Sequence, residues 1–268
     1  MKTNRNTSFL IASIALIGIQ AASAHITYTG RDFGTFTGTS AQSSPSLTTS
    51  ISSDFGWAAA TDDNYGDSHR TRAFRFQLAS AGIVTLTVQS NASGFLPAFS
   101  IFSGLAHISP SLADHDATQI SLDYLATLSG PDKVGAFFAL GDWKVGNDPV
   151  YNTSGVPSSG VSVPASLSSF TYQGNAADGT TANFGLASGI NGDGTADGFV
   201  TGTFSLPAGN YSIFIGGASL ANEGPPPVSG SYTNYSATAT LSVIPEPTSA
   251  LLIGLSSIGL LVWCRQRH

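Results

Sequence analysis

The chain is long but sparsely charged: of its 268 residues, 10% are charged and 41% are hydrophobic, and the formal net charge is −6. Between residues 25 and 243 there are 15 acidic and 6 basic residues, a balance of −9. Such a surface repels phosphate backbones, which argues against nucleic acid as a partner, whereas it suits divalent cations. The single cysteine, Cys264, excludes an intramolecular disulfide, so stability must come from a hydrophobic core.

Residues 1–24 have the order of a secretory signal peptide. Basic residues precede an apolar stretch at 9–19, and the small residues Ala22 and Ala24 close the segment. This order predicts export and cleavage by signal peptidase after Ala24. An N-terminal membrane helix is the alternative, but the apolar stretch is far shorter than the roughly 20 residues that a bilayer requires.

The segment 25–243 is long enough for one large all-β domain. Its first charged cluster, DDNYGDSHR at 62–70, predicts either a cation site or a network of aspartates with Arg70 and Arg72, the commoner outcome being solvated loop charges. The next stretches, AFRFQLA at 73–79 and IVTLTVQ at 83–89, alternate apolar and polar residues around Ser-Ala-Gly. We expect these two stretches to form a β-hairpin.

Four later stretches repeat the alternation, with glycine, asparagine or proline between them. They are AFSIFSG (98–104), GFVTGTFSL (198–206), NYSIFIGG (210–217) and YSATATLSV (235–243). Only 111–128 offers an amphipathic helix, and the glycine-rich stretches 146–169 and 174–198 suggest long loops. The pattern predicts an antiparallel β-sandwich, jelly-roll-like, between an N-terminal signal helix and a C-terminal transmembrane helix.

Part of this pattern resembles the sandwich of bacterial pre-peptidase C-terminal-like domains. The phrases FRFQLASAGIVTLTVQ (74–89), PAFSIFSG (97–104) and FSLPAGNYSIFIGGAS (204–219) carry the resemblance. The residues between the two halves, 105–198, depart from that family and leave the central topology open. Members of the family are mainly non-catalytic accessory modules, so the resemblance implies a non-catalytic domain.

Aromatic side chains offer one candidate ligand site. Trp57 and Trp143 lie in glycine- or aspartate-rich contexts, where exposed flat rings stack on the faces of sugars. The pair therefore predicts carbohydrate binding. The alternative is that Trp143 is a core anchor, because tryptophan is highly buried on average.

Carboxylates suggest a further candidate chemistry. A glycan hydrolase needs two carboxylates facing each other across a sugar. Any two of the following residues could form such a pair: Asp114, Asp116, Asp123 and Asp142. Nucleophile and metalloprotease signatures are missing from the sequence. We therefore expect no catalytic residues and treat hydrolysis as the weakest function.

The loop NGDGTADG (191–198) is the candidate metal site. Asn191, Asp193 and Asp197 are closely spaced oxygen ligands on a glycine-bent backbone, as Ca²⁺ requires. The pattern departs from a calcium loop because Phe204 stands where a bidentate glutamate belongs. The alternative is a turn in which Asp and Asn bond their own backbone.

The last 25 residues, 244–268, have three parts. Pro245-Glu246-Pro247 precedes an uncharged run of 16 residues from Ser249 to Cys264, and Arg265 and Arg267 follow it. With Pro247 and Thr248 the run is about 27 Å long as a helix, just enough for a thin bilayer. The arginines then stay on the cytoplasmic side, which places 25–243 outside.

This three-part tail resembles the PEP-CTERM sorting signal of Gram-negative bacteria. The resemblance implies recognition of Pro245-Glu246-Pro247 by an exosortase, transient anchoring in the inner membrane, and delivery to the cell surface or extracellular matrix. Such proteins accompany exopolysaccharide and biofilm systems, which makes extracellular polysaccharide a candidate partner. A permanent C-terminal anchor is the alternative.

Overall fold

A computed structural model describes residues 26–58, 65–67, 70–106, 136–145, 168–184, 188–220 and 233–246. Their regular structure is almost entirely β, with one helix of a single turn, α1 (Thr181–Phe184). The strands are β1 (Asp32–Phe36), β2 (Gln42–Ser43), β3 (Leu47–Ser52), β4 (Tyr65–Asp67), β5 (Arg72–Leu78), β6 (Gly82–Ser90), β7 (Pro97–Ser103), β8 (Ala136–Phe138), β9 (Trp143–Val145), β10 (Ser168–Ala177), β11 (Phe199–Leu206), β12 (Gly209–Gly217) and β13 (Asn234–Pro245). The strands predicted at 73–79, 83–89, 98–104, 198–206, 210–217 and 235–243 are all confirmed.

Two large sheets contain most of the strands. The six-stranded sheet has the order β1-β5-β12-β7-β10-β9. The five-stranded sheet has the order β11-β6-β13, and both β2 and β3 pair with the free side of β13. The short strands β4 and β8 pair separately.

The main core lies between the two sheets and explains why these strands form. On β6 the inward positions are Val84, Leu86 and Val88, each fully buried, while the residues between them are polar. The facing strands of the six-stranded sheet supply aromatic and branched side chains, including Phe74, Phe99 and Ile213. Burial of the inner apolar faces therefore stabilises the packing of the two sheets into a β-sandwich.

A second apolar cluster covers the outer face of the six-stranded sheet, and we call it the outer cluster. Its members are Ile26, Tyr28, Trp57, Ala58, Ala73, Ala98, Phe102, Ala106, Ala139, Trp143, Phe170, Ala177, Phe184, Phe214, Ala218 and Leu220. Because both faces of this sheet are covered, β7 is buried at six consecutive positions instead of alternating.

The predicted hairpin at 73–89 is wrong. Strand β5 belongs to the six-stranded sheet and β6 to the five-stranded sheet. The segment between them therefore passes from one sheet to the other, and the two strands do not pair with each other. The later pair β11 and β12 crosses in the same way, and Leu78 pairs with Gly209 while Gly82 pairs with Leu206. Alternation buries the same side chains in either arrangement, so it does not distinguish a hairpin from a crossing.

Two further expectations need correction. The sheets are mostly antiparallel, but β1 pairs with β5 in parallel. The stretch 174–198 is not one long loop, since residues 174–177 end β10 and α1 follows. At Gly174 the register of β10 shifts, and the ring of Phe204 from the opposite sheet occupies the space that a Cβ would need.

The terminal predictions lie outside the described residues. They concern the signal peptide with Ala22 and Ala24, the apolar run beyond Glu246, and Arg265 with Arg267. The helix predicted at 111–128 also lies outside them. Within the ranges that the structure describes, no helix is long and apolar enough to cross a membrane.

Candidate functional site

The start of the predicted sorting motif belongs to the sandwich itself. Strand β13 continues two residues past the predicted boundary at 243, and its last residue, Pro245, pairs with Gly82 of β6. The Glu246 N–H then donates to the Ala81 carbonyl at 3.3 Å. The Glu246 carboxylate is exposed and accepts a hydrogen bond from the Ser205 hydroxyl of β11. Thus Glu246 is held at one end of the strands of the five-stranded sheet, while Pro247 lies outside the described residues.

The candidate calcium residues lie in one loop, and their side chains bond backbone groups: one oxygen of Asp193, one oxygen of Asp197 and the amide nitrogen of Asn191. Asp193 Oδ1 accepts the N–H of Thr195 at 3.1 Å, and Asp197 Oδ1 accepts the N–H of Phe199 at 3.1 Å. Each is the local turn in which an aspartate bonds the backbone two residues on. Asn191 donates to the Asn175 carbonyl at 3.2 Å.

The loop is fixed by a carboxylate that the sequence did not single out. Asp178, fully buried, accepts the Asp197 N–H at 3.0 Å and the Gly198 N–H at 2.6 Å. Burial raises the pKa of Asp178, the two backbone bonds lower it, and nearby Asp193 and Asp197 raise it further. Within the described ranges, no group of three or more His, Cys, Asp or Glu residues could hold a metal ion. Calcium at 191–197 stays a prediction.

The two tryptophans are not exposed, which corrects the expectation of a sugar-stacking pair. Trp57 is 0% exposed and its Nε1 donates to Ser100 Oγ at 2.9 Å. Trp143 is 1% exposed and stacks on Phe170 with ring centroids 4.4 Å apart. Both rings lie on the outer face of the six-stranded sheet, as the alternative prediction for Trp143 stated. Removal of a large apolar ring from water stabilises the folded chain.

Of the four candidate hydrolase carboxylates, Asp142 alone lies in the described residues. Asp114, Asp116 and Asp123 lie outside them, as does most of the cluster at 62–70. Asp142 is exposed and accepts the backbone N–H of Tyr172 at 2.7 Å. That bond gives Asp142 a role in joining the loop before β9 to β10.

The outer face of the five-stranded sheet carries rows of hydroxyl groups that sequence reasoning missed, and we call it the hydroxyl face. Its hydroxyl-bearing residues are Thr85 and Thr87 of β6, Thr201, Thr203 and Ser205 of β11, Ser236, Thr238, Thr240 and Ser242 of β13, and Thr48 and Ser50 of β3. The strand register aligns them in rows, for example Thr201 beside Thr87 beside Thr240.

The rows are bonded from strand to strand. The hydroxyls of Thr87 and Thr201 are 3.1 Å apart, as are those of Thr85 and Thr203. On the same face, where β3 pairs with β13, the hydroxyl oxygens of Thr48 and Thr238 are 2.8 Å apart. The signal for this face was present in the sequence as threonine and serine at every second position of the predicted strands.

Comparisons with known proteins add likenesses of fold. Neither protein-family models nor curated proteins give a match. Among solved structures, the chain is similar to CorA, a surface-associated copper-binding protein important in copper acquisition by Methylomicrobium album BG8, with a TM-score of 0.48 and 14% identity over 78% of this chain and 96% of that one. It is also similar to the secreted protein MopE of Methylococcus capsulatus, in which an oxidized tryptophan facilitates copper binding, with a TM-score of 0.41 and 14% identity over 81% and 87%. At these scores, copper remains a property of those two proteins.

Proposed function

We propose that this chain is a non-catalytic exported protein of the cell surface or extracellular matrix, delivered by an exosortase and associated with exopolysaccharide or biofilm. The observation that carries the proposal is the position of Pro245 and Glu246. Pro245 is the last residue of the last strand, and the exposed carboxylate of Glu246 follows it, shortly before the apolar run of the sequence. A folded domain thereby ends where the enzyme would engage the chain.

The two prolines of the motif support its use as an enzyme substrate. Proline fixes φ and disfavours helix at the residue before it, so Glu246, between Pro245 and Pro247, stays extended. An extended peptide can enter a peptidase site without unwinding a helix, once the bonds of Glu246 to Ala81 and Ser205 have opened. In the proposal, the inner membrane holds the precursor through 249–264 only until the exosortase removes the tail.

The test is processing of the precursor in a cell that contains the exosortase. We expect Glu246→Ala to leave the uncleaved precursor in the inner membrane, measured by immunoblotting of membrane and released fractions. Glu223→Ala, which changes the chain's other glutamate, is the matched control and should be processed normally.

A second variant separates recognition from local folding. Ser205→Ala removes the hydrogen bond to Glu246 while leaving the carboxylate available to the enzyme. We expect processing of this variant to continue. Normal cleavage of the Glu246→Ala variant would remove the sorting proposal, and an equal block in the Ser205→Ala variant would shift the cause to the fold of the strand end.

The hydroxyl face favours a second candidate function, that of a carbohydrate-binding module. Rows of hydroxyls on a sheet can exchange hydrogen bonds with sugar hydroxyls. This function is compatible with the first, since a matrix protein needs a contact with its matrix.

A further inference from the structure

We propose that the hydroxyl face is a docking surface for a chain of neutral polysaccharide. The inference rests on the proposed function, because only an exported chain meets such a polymer, and it deepens that function by assigning the partner to a surface. Three observations on the described residues carry it: the charge of the face, its exposed apolar groups, and the order of its hydroxyls.

The first observation is that the hydroxyl face has no basic residue on its strands, and its carboxylate is that of Glu246, bonded to Ser205 at one end. No residue of β2, β3, β6, β11 or β13 is Asp, Glu, Lys or Arg. Charged residues do occur in the other sheet, for example Asp32 of β1, which pairs with Arg75 of β5. A face without basic residues and with a carboxylate at its end does not attract an anionic polymer, and its uncharged rows suit a neutral chain.

The second observation concerns exposed apolar side chains. Within the described ranges, the exposed large hydrophobic residues are Phe199 at 44%, Ile83 at 38% and Ile244 at 55%. All of these lie on the hydroxyl face, since they alternate with the buried Val200, Val84 and Val243. A single exposed apolar side chain is common, but these three share the outer face of one sheet.

These apolar groups stand at the two ends of the face. Phe199 pairs with Gln89, and Ile244 pairs with Ile83. Gln89 and Ile83 are six residues apart on β6, about 20 Å at the rise of a strand. An elongated ligand can therefore contact an aromatic ring at one end, hydroxyls along its length and aliphatic groups at the other end.

The third observation is that the hydroxyls are already ordered. Each cross-strand threonine pair shares one hydrogen bond, and each β-branched side chain is stiff at χ1. A threonine hydroxyl has one donor and two acceptor sites, so the shared bond leaves it able to bind a ligand. Ordered groups lose less conformational entropy on binding than free ones.

A neutral polysaccharide fits this combination better than a second copy of the chain. A dimer of two such faces would bury the hydroxyl rows against each other around only three large apolar side chains from each copy. A sugar chain instead offers both hydroxyls and apolar ring faces.

The experiment is affinity electrophoresis of the full-length chain in detergent through native gels containing a polysaccharide. The neutral probes are hydroxyethyl cellulose, dextran and galactomannan, and alginate is the anionic probe. We expect retardation by at least one neutral probe and none by alginate. Phe199→Ala should weaken that binding by about tenfold, and Thr87→Val with Thr201→Val by a similar factor, since each removes a direct ligand contact.

The double valine variant is chosen because it keeps the shape of both side chains and leaves no unmatched hydrogen-bond partner. Thr35→Val is the control, as Thr35 is an exposed threonine on β1 of the other sheet, and it should bind like the unchanged chain. Thermal unfolding followed by circular dichroism verifies that each variant is folded. Migration unaffected by all neutral probes, or retardation that the Phe199 and threonine variants leave unchanged, overturns the proposal.

The two proposals fail separately. Loss of polysaccharide binding with normal cleavage at the tail would leave the sorting function standing and remove only the docking surface. Normal cleavage of the Glu246→Ala variant together with polysaccharide binding would remove the sorting function alone. A dimer that depends on Phe199, without polysaccharide binding, would assign the face to a second copy of this chain.

Discussion

The six-stranded sheet has a second apolar layer on its outer face, whereas the five-stranded sheet has hydroxyls there. Around Phe102 of the first sheet, four aromatic rings lie with centroids within 6.2 Å. On the second sheet, the outward positions of β6 are Ile83, Thr85, Thr87 and Gln89. The difference separates a structural face from one that remains available for contact, although both sheets share the same inner core.

The covered face uses the long connections of the chain. Trp57 precedes β4, Ala139 follows β8, and Phe184 ends α1. These residues come from segments that a simple sandwich would leave in solvent. A chain without disulfides gains stability from this extra burial, since burial of one large apolar side chain contributes roughly 1.5 to 3 kcal/mol.

The largest difference in stability between the two faces is expected from a substitution in the outer cluster. Phe102→Ala should lower the free energy of unfolding by about 3 to 5 kcal/mol, because it leaves a cavity among buried aromatic rings. Phe199→Ala, on the open face, is the matched control and should change stability by less than about 1 kcal/mol. Urea unfolding followed by tryptophan fluorescence measures both. Equal losses would mean that the open face is covered in solution.

A smaller effect is expected from the tyrosine at the edge of the outer cluster. The Tyr28 hydroxyl lies 2.6 Å from Ser212 Oγ and accepts the Ala106 N–H at 3.0 Å. Burial raises the pKa of Tyr28, and its hydrogen bonds with Ala106 and Ser212 offset part of that rise. At neutral pH we expect Tyr28→Phe to cost about 1 to 2 kcal/mol of stability, since it leaves buried partners unmatched.

The raised pKa gives this residue a pH signature. In the unfolded chain tyrosine ionises near pH 10, while folded Tyr28 keeps its proton to higher pH. The contribution of Tyr28 is therefore complete below about pH 10 and is lost as the pH rises toward the raised value. Thermal midpoints between pH 8 and 11.5 should converge for the original chain and the Tyr28→Phe variant. A constant difference across that range would contradict a buried, protonated phenol.

The parts of the fold that the sequence predicted are those governed by alternation. The strands at 83–89 and 235–243 alternate strictly because one side faces the core and the other faces solvent, so their existence and faces were readable. Strand β7 was also predicted, but its burial at six consecutive positions was not, since only the outer cluster accounts for it.

What could not be predicted depends on contacts between distant segments. Alternation places Val84 and Phe76 in a core but does not say whether their strands pair or face each other. Trp57 and Trp143 stand in polar sequence surroundings, and only the packed sheet beneath them explains their burial. Asp178 gave no motif of its own, because the N–H groups it binds come from a loop 19 and 20 residues away.

We propose that the chain after Glu246 serves delivery and is then removed. The most direct measurement is the intact mass of the protein recovered from outside a cell that contains the exosortase. We predict a product that begins at His25 and ends within or next to Pro245-Glu246-Pro247, without the apolar run and the terminal arginines. A mass that still includes the residues through His268 would contradict the claim.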